Sequence, residues 1–353
     1  CEITHLECIG ETCAEIEGVG PDQCSINLDC EEESFEVITV KTSLDDTTYT
    51  YHEPLISGDY VVYAEQSPRQ IHVRNIKEGT SVIVPTSSHY SSAGGSPSYS
   101  IHGDLLSWKR YRVNGDPVDF GGLVIYNLTS GEQNQIIYNW DLSENRPTHS
   151  IYEEKVVYEL NHDLYLYDLS TESNQKMSFS DNIDAYWPVV SEKGIAFMQL
   201  HEVPSEGRAI FFYDFNSQNV VQVSDYDYYL NPQDIDGDYV VWTQDEPVSG
   251  NGVVYIANLV TGEKYFTPND DWRINPYDVK IDGNNVVWWV SNYPSGPKDM
   301  YKHDILTGIT GQIFPEENDQ KQPFISGKRI VWQEFRNGHV DIMGFLPASS
   351  IPG

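Results

Sequence analysis

Four stretches of the 353-residue chain set aromatic rings beside carboxylates: "YNWDLSENRP" (residues 138–147), "FSDNIDAYWP" (179–188), "SDYDYYLNP" (224–232) and "TPNDDWRINP" (267–276). Their candidate ligand residues are Trp140, Tyr186, Trp187, Tyr228, Tyr229 and Trp272, with Asp225, Asp227, Asp270 and Asp271. An aromatic face next to a carboxylate suits stacking on a sugar ring with hydrogen bonds to its hydroxyls, or a protein–protein hot spot. The same rings could do no more than cover the ends of the elements they join. The four aspartates offer hard oxygen ligands of the kind Ca²⁺ takes. However, no D-x-D-x-D-G loop occurs, and "DIDGDY" (234–239) reads as a hairpin turn. The expectation is therefore no cofactor, with calcium as the lesser alternative and no other metal.

Catalytic signatures are missing from the sequence. His201-Glu202 begins like H-E-x-x-H but continues Val-Pro-Ser, which fails the zinc-protease spacing. There is no G-x-S-x-G elbow, P-loop or G-x-G-x-x-G. A carboxylate pair can hydrolyse a glycosidic bond, but among 54 acidic residues the sequence singles out none. The expectation is a protein that is not an enzyme, with no catalytic residue named. Asn127 opens an N-L-T sequon and is a glycosylation candidate. The equivalent slots in "YDLST" and "ANLVTG" explain the same residues without a glycan.

Charge narrows the partners. Twenty-one Lys and Arg against 54 Asp and Glu give a formal net charge of −33. Nucleic-acid binding needs a basic footprint, and none is present. No apolar run is long enough to span a bilayer. An acidic surface is solvated and keeps an exposed protein soluble. All five cysteines, Cys1, Cys8, Cys13, Cys24 and Cys30, fall in the first thirty residues. Crowded cysteines in a polar segment read as disulfides in an oxidising compartment. Cys8, Cys13, Cys24 and Cys30 are the candidates. Cys1 is left over, either as the lipid-bearing first residue of a processed surface protein or as the partner of a cysteine elsewhere. The location implied is extracellular or the cell surface, with a leader already removed.

The elements that must position these residues follow from a repeat. An apolar pair plus an aromatic recurs at residues 61–63, 105–108, 156–158, 195–197, 240–242, 286–288 and 330–332. A proline stands ahead of each: Pro54, Pro97, Pro147, Pro188, Pro232, Pro276 and Pro323. A period in the forties marks a propeller or solenoid, and β-branched and aromatic enrichment makes the units strands. Each unit parses into four strands, the first beginning at its proline and the second continuously apolar, as in a sheet covered on both faces. The seventh unit lacks a fourth strand, while "FEVITV" (35–40) stands unpartnered ahead of the first. The fold expected is all-β: a seven-bladed β-propeller of four-stranded antiparallel blades, closed by that N-terminal strand and preceded by a small disulfide-rich segment. The boundaries are an acidic Cys-rich module at 1–34, a propeller at 35–346 and a tail at 347–353. Within each blade the connections between strands one and two, and three and four, are short. The remaining connections are long and share one end, where binding is expected.

Phrases such as "HEPLISGDYVVYAEQ" and "QKQPFISGKRIVWQEFRNGHVDIMGF" resemble TolB-like β-propeller repeats of bacterial and archaeal surface proteins. The resemblance covers residues 35–345, implies a surface interaction scaffold and transfers no catalytic residue. The function expected is a non-catalytic extracellular scaffold that binds a protein, another copy of itself or a cell-surface glycan through its long-loop end. Two alternatives stand beside it: a subunit of a filament or array assembled through the Cys-rich module, and a polysaccharide-cleaving enzyme.

Overall fold

In the computed structural model the described residues are 4–9, 12–17, 35–42, 51–66, 69–85, 99–110, 122–138, 148–177, 184–200, 207–227, 230, 234–245, 252–267, 274–292, 298–314, 318–336 and 339–347. Their regular structure is entirely strand and forms seven four-stranded antiparallel sheets plus a separate two-stranded hairpin. The blades span residues 51–83, 99–138, 149–176, 185–222, 234–266, 274–313 and 319–347. Blade 7 draws its fourth strand, Phe35–Thr42, from ahead of blade 1. That strand pairs antiparallel with His339–Pro347, so Val37 faces Phe345 and Thr39 faces Met343. The expected closure is thus present, and it gives the last blade's third strand a partner in place of an open edge.

The repeated phrase is the core. Val61, Val62, Val156, Val157, Val240, Val241, Val286 and Val287 are fully buried, and the aromatics Tyr63, Trp108, Tyr158, Phe197, Trp242, Trp288 and Trp332 are nearly so. A second strand apolar on both faces can bury both because each blade packs between two neighbours. The side chains accordingly sort into clusters that bridge adjacent blades, such as Ala196, Met198 and Phe212 of blade 4 with Val240 and Trp242 of blade 5. First strands of successive blades adjoin around the central axis. Fourth strands lie outermost and exposed, as in Thr80–Ile83, Ser173–Lys176 and Lys264–Phe266.

One expectation is corrected. In blades 1, 4, 6 and 7 the prolines do not open their strands. Blade 7's first strand, Asp319–Ser326, starts four residues before Pro323, and Pro54 and Pro188 also lie inside strands. In blades 1, 4 and 7 the pairing register skips at this point, between His52 and Leu55, Tyr186 and Val189, and Lys321 and Phe324. A β-bulge leaves its extra residues out of the ladder, so a proline without an N–H loses no bond there. Blade 6 has the same bulge between Tyr277 and Lys280, with Pro276 in the paired stretch ahead of it. The bulged residues Trp187, Asp278 and Gln322 take positive φ of 49°, 49° and 52°. That conformation is uncommon for a bulky side chain, and a bulge re-aims the residue it holds.

The blades are stapled at the short-turn end. Ser57 Oγ accepts from Gly103 N–H at 2.8 Å, His102 Nδ1 from Glu153 N–H at 3.0 Å, and Asp236 Oδ2 from Gly283 N–H at 2.6 Å. Ser326 Oγ accepts from Gly58 N–H at 3.2 Å, and Arg329 reaches the Gly58 carbonyl and the Asp59 carboxylate, joining blade 7 to blade 1.

In the N-terminal hairpin, Thr4–Ile9 pairs with Thr12–Glu17 and places Cys8 opposite Cys13. Cys1, Cys24 and Cys30 lie outside the described residues. No helix of the described residues is long and apolar enough to cross a membrane.

Candidate ligand-binding cleft

Buried polar side chains gather at one end of the blades. Lys109, Glu159, Gln199, Thr243, Gln244, Gln333 and Glu334 occupy the ends of second strands, and His149 and Gln320 the starts of first strands. Both places adjoin the long connections. Several are held by other side chains, while His149, Gln199, Thr243 and Gln320 each keep an atom with no hydrogen-bond partner among the described residues. Trp242 Nε1–H donates to Gln244 Oε1 at 2.9 Å, and Gln244 Nε2 donates in turn to Asp227 Oδ2 at 3.1 Å. Trp332 Nε1–H likewise donates to Glu334 at 3.1 Å, whose other oxygen takes Asn318 and Arg336. A W-x-Q/E spacing thus satisfies the indole from two residues along the same strand.

Blade 4 departs from that pattern and opens a cleft of about 430 Å³ lined by Glu159, Tyr186, Trp187, Met198, Gln199, Leu200 and Arg208. Its core aromatic is Phe197, which has no N–H to give. Gln199, the counterpart of Gln244, is 3% exposed, and its Nε2 has no hydrogen-bond partner among the described residues. Arg208 sits on the adjoining strand, opposite Leu200, with its guanidinium 5.3 Å from the Trp187 ring centre. Tyr186 donates its hydroxyl to Asp184 Oδ2 at 3.0 Å and packs against the His162 ring at 4.9 Å.

Glu159 closes the blade 3 side. It is 2% exposed and accepts from Trp187 N–H and Thr148 Oγ1, each at 3.4 Å, with His162 Nδ1 3.7 Å away. Burial pushes its carboxyl up to about 7, against the opposing pull of the Trp187 N–H, His162, Lys109 and Thr148. It therefore holds a proton, and is a hydrogen-bond donor, through the mildly acidic range. On the same side His149 is driven the other way, down to about 3, by burial and the Lys109 charge, so it stays a neutral ring.

Of the residues expected from sequence, Tyr186 and Trp187 come together in this cleft. Asp225 is exposed, and Asp227 is engaged by Gln244 and by a backbone bridge to Arg208. Trp140, Tyr228, Tyr229, Trp272, Asp270 and Asp271 lie outside the described residues. Among the described residues no group of three or more His, Cys, Asp or Glu is arranged to hold a metal ion. Asn127 sits at the opposite end, where its Oδ1 accepts from Thr129 and Ser130 N–H at 2.9 and 2.7 Å. Glu159, Gln199 and Arg208 escaped sequence reasoning. For Glu159 a signal lay in the residue after each core aromatic, which reads Ala64, Lys109, Glu159, Met198, Thr243, Trp289 and Gln333, a different type in every blade, whereas Gln199 and Arg208 had none of this kind.

No family model and no curated protein matches this chain. Solved structures do. The β-propeller domain of the Trilobed protease from Pyrococcus furiosus matches with TM-score 0.63 at 13% identity, covering 84% of this chain and 95% of that one. Oligogalacturonate lyase from Vibrio parahaemolyticus gives 0.60 at 12%, covering 90% and 100%. Acylaminoacyl peptidase from Pyrococcus horikoshii gives 0.58 at 12%, covering 81% of this chain, which spans about half of that peptidase (49%). TolB from Acinetobacter baumannii is also among the similar structures, at TM-score 0.46 and 14% identity, covering 84% and 78%. The chain's own strand pairing gives seven blades, and the three higher-scoring matches share that propeller fold.

These matches overturn the expectation that the chain is not an enzyme. Its fold is shared with propellers from a protease, a peptidase and a lyase. The physical reason is that a propeller assembles sites from separate loops, so a scan for contiguous motifs cannot exclude one.

Proposed function

We propose that this protein is a ligand-binding propeller, displayed outside the cell or on its surface, whose site is the cleft between blades 3 and 4 at the long-loop end. A volume near 430 Å³ lies within the ordinary range of small-molecule pockets and takes roughly one or two units of a glycan or peptide chain. Tyr186 and Trp187 supply ring faces, and Glu159, Gln199 and Arg208 supply polar contacts along one wall. The observation that carries the reading is the Gln199 amide, buried with an unpartnered Nε2 beside two aromatic rings. A buried donor left empty costs about 1–3 kcal/mol, which a ligand acceptor would recover.

The test is binding of the full chain to an oligosaccharide array and to a peptide library, with Trp187→Ala and Trp187→Phe beside the parent. The reading expects Trp187→Ala to abolish binding of whichever class is retained, with Trp187→Phe largely keeping it. Ligands bound equally by the parent, Trp187→Ala and Tyr186→Ala would place the site elsewhere and remove this reading.

A further inference from the structure

The cleft's polar wall carries three donors. Gln199 presents an unpartnered Nε2. Arg208, a planar fork matched to carboxylate geometry, lines the cleft with its guanidinium 5.3 Å from the Trp187 ring centre. Glu159, protonated through the mildly acidic range, presents an O–H. The rings of Tyr186 and Trp187 and the apolar chains of Met198 and Leu200 complete the lining. A sugar hydroxyl or a peptide group brings a donor along with its acceptor, and that donor finds no use on this wall. A carboxylate brings only acceptors.

We propose that the ligand engages this cleft through a carboxylate, with its ring or side chain laid on Tyr186 and Trp187. The proposal rests on the reading of the cleft as the binding site and adds the chemistry of its ligand. Two sources supply such a group: a uronic acid unit of a glycan and the C-terminal carboxylate of a peptide.

Proton linkage follows from the groups around Glu159. From blade 3 itself come Thr148 and His162, from blade 2 Lys109, and from blade 4 the Trp187 N–H and the cleft-lining Arg208. Asp184 of blade 4, which accepts from the Tyr186 hydroxyl, is a second acid at the cleft, but Glu159 is the buried one, and its ionisation sets a further negative charge against the incoming carboxylate. Binding is expected to be tighter at pH 6 than at pH 8.5. Glu159→Gln, which keeps a neutral donor-bearing group, is expected to bind similarly at both.

The experiment measures binding to the full chain by calorimetry and tryptophan fluorescence at pH 6. D-glucuronate is set against its methyl ester, and N-acetyl-phenylalanine against its amide. The expected result is that at least one acid binds about tenfold or more tighter than its neutral partner. Gln199→Leu and Arg208→Lys should each weaken the acid about tenfold and the neutral partner, which keeps only a carbonyl acceptor, by less. Glucuronate alone identifies a glycan source, and the amino-acid derivative alone a peptide source. Equal binding of acid and neutral forms, or no binding of either acid by a folded chain, overturns the carboxylate. If a neutral ligand then binds in a Trp187-dependent way, the cleft survives as the site and only its proposed chemistry falls. Thermal unfolding of each variant separates lost binding from lost fold, and Arg208→Lys, which keeps charge and bulk, remains a test should Gln199→Leu fail to fold.

Discussion

At the short-turn end, six blades make one and the same turn. Asn75, Asn127, Asp168, Asp214, Asn258 and Asp304 each end a third strand and accept backbone N–H bonds from two or three residues ahead. Four residues after each stands a positive φ: Gly79, Gly131, Glu172, Gln218, Gly262 and Gly308. At the long-loop end no two blades carry the same residue after the core aromatic, and polar groups there are buried in different ways. Repetition marks a problem common to every blade, namely closing a hairpin at low cost. Divergence marks positions that the shared fold leaves unconstrained, which is where a site can be built.

The contrast breaks most sharply at Glu334. This fully buried carboxylate satisfies Trp332, Asn318 and Arg336 together. Glu334→Ala strands a buried indole and leaves Arg336 without this partner, so a loss of about 3–5 kcal/mol in urea unfolding is expected. A loss under 1 kcal/mol, the scale of an ordinary surface change, would show that the divergent end is not internally held.

Glu159 gives the next largest effect and a signed one. Its folded value near 7 exceeds the ordinary carboxyl value, so stability from this group is full at low pH and is lost as pH rises through 7. Between pH 4.5 and 8 the fall is expected to be about 3 kcal/mol, and Glu159→Gln should flatten it. An unchanged pH profile in that variant would mean the carboxyl is not desolvated. His149, held neutral down to about 3, works at the other edge: its contribution is present above the ordinary histidine value and is lost as pH falls through the acid range.

The shared turn is worth less per copy. Asp168→Ala removes an acceptor for Ser170 and Thr171 N–H, and a loss of about 1 kcal/mol is expected, with ligand binding at the far end untouched. The same substitution at Asn258 should cost the same to within roughly 0.5 kcal/mol, since the turn geometry is repeated. Unequal costs would show that the repeats are alike in sequence but not in energetics.

The fold was legible because each blade states it again. The apolar phrase, the turn and the spacing recur seven times, and the missing fourth strand of blade 7 points to residues 35–40 as its replacement. The proline was misplaced because its physical role, tolerance at a bulge, depends on a register skip that sequence spacing does not encode. The site was half legible. Trp187 and Tyr186 advertise themselves by type, whereas Gln199 matters only because Phe197 replaces a tryptophan two residues earlier. Arg208 and Glu159 join them from different strands, and no local pattern announces such a meeting.

The smallest expected effect is therefore the most telling. Gln244 and Gln199 occupy the same place in adjacent blades, but Gln244 bridges Trp242 to Asp227 while the Gln199 Nε2 meets no acceptor among the described residues. Gln244→Leu should cost about 1–3 kcal/mol, the penalty for leaving a buried indole N–H unmade. Gln199→Leu removes an amide whose donor is unused, and burying a methyl-bearing chain there should leave stability within roughly 0.5 kcal/mol or raise it. Paired urea titrations of the two variants decide the matter. If Gln199→Leu costs as much as Gln244→Leu, the amide is a structural bond like its neighbour and the cleft holds no vacancy. If it costs nothing to the fold but removes binding, the blade 4 glutamine has been kept for a ligand.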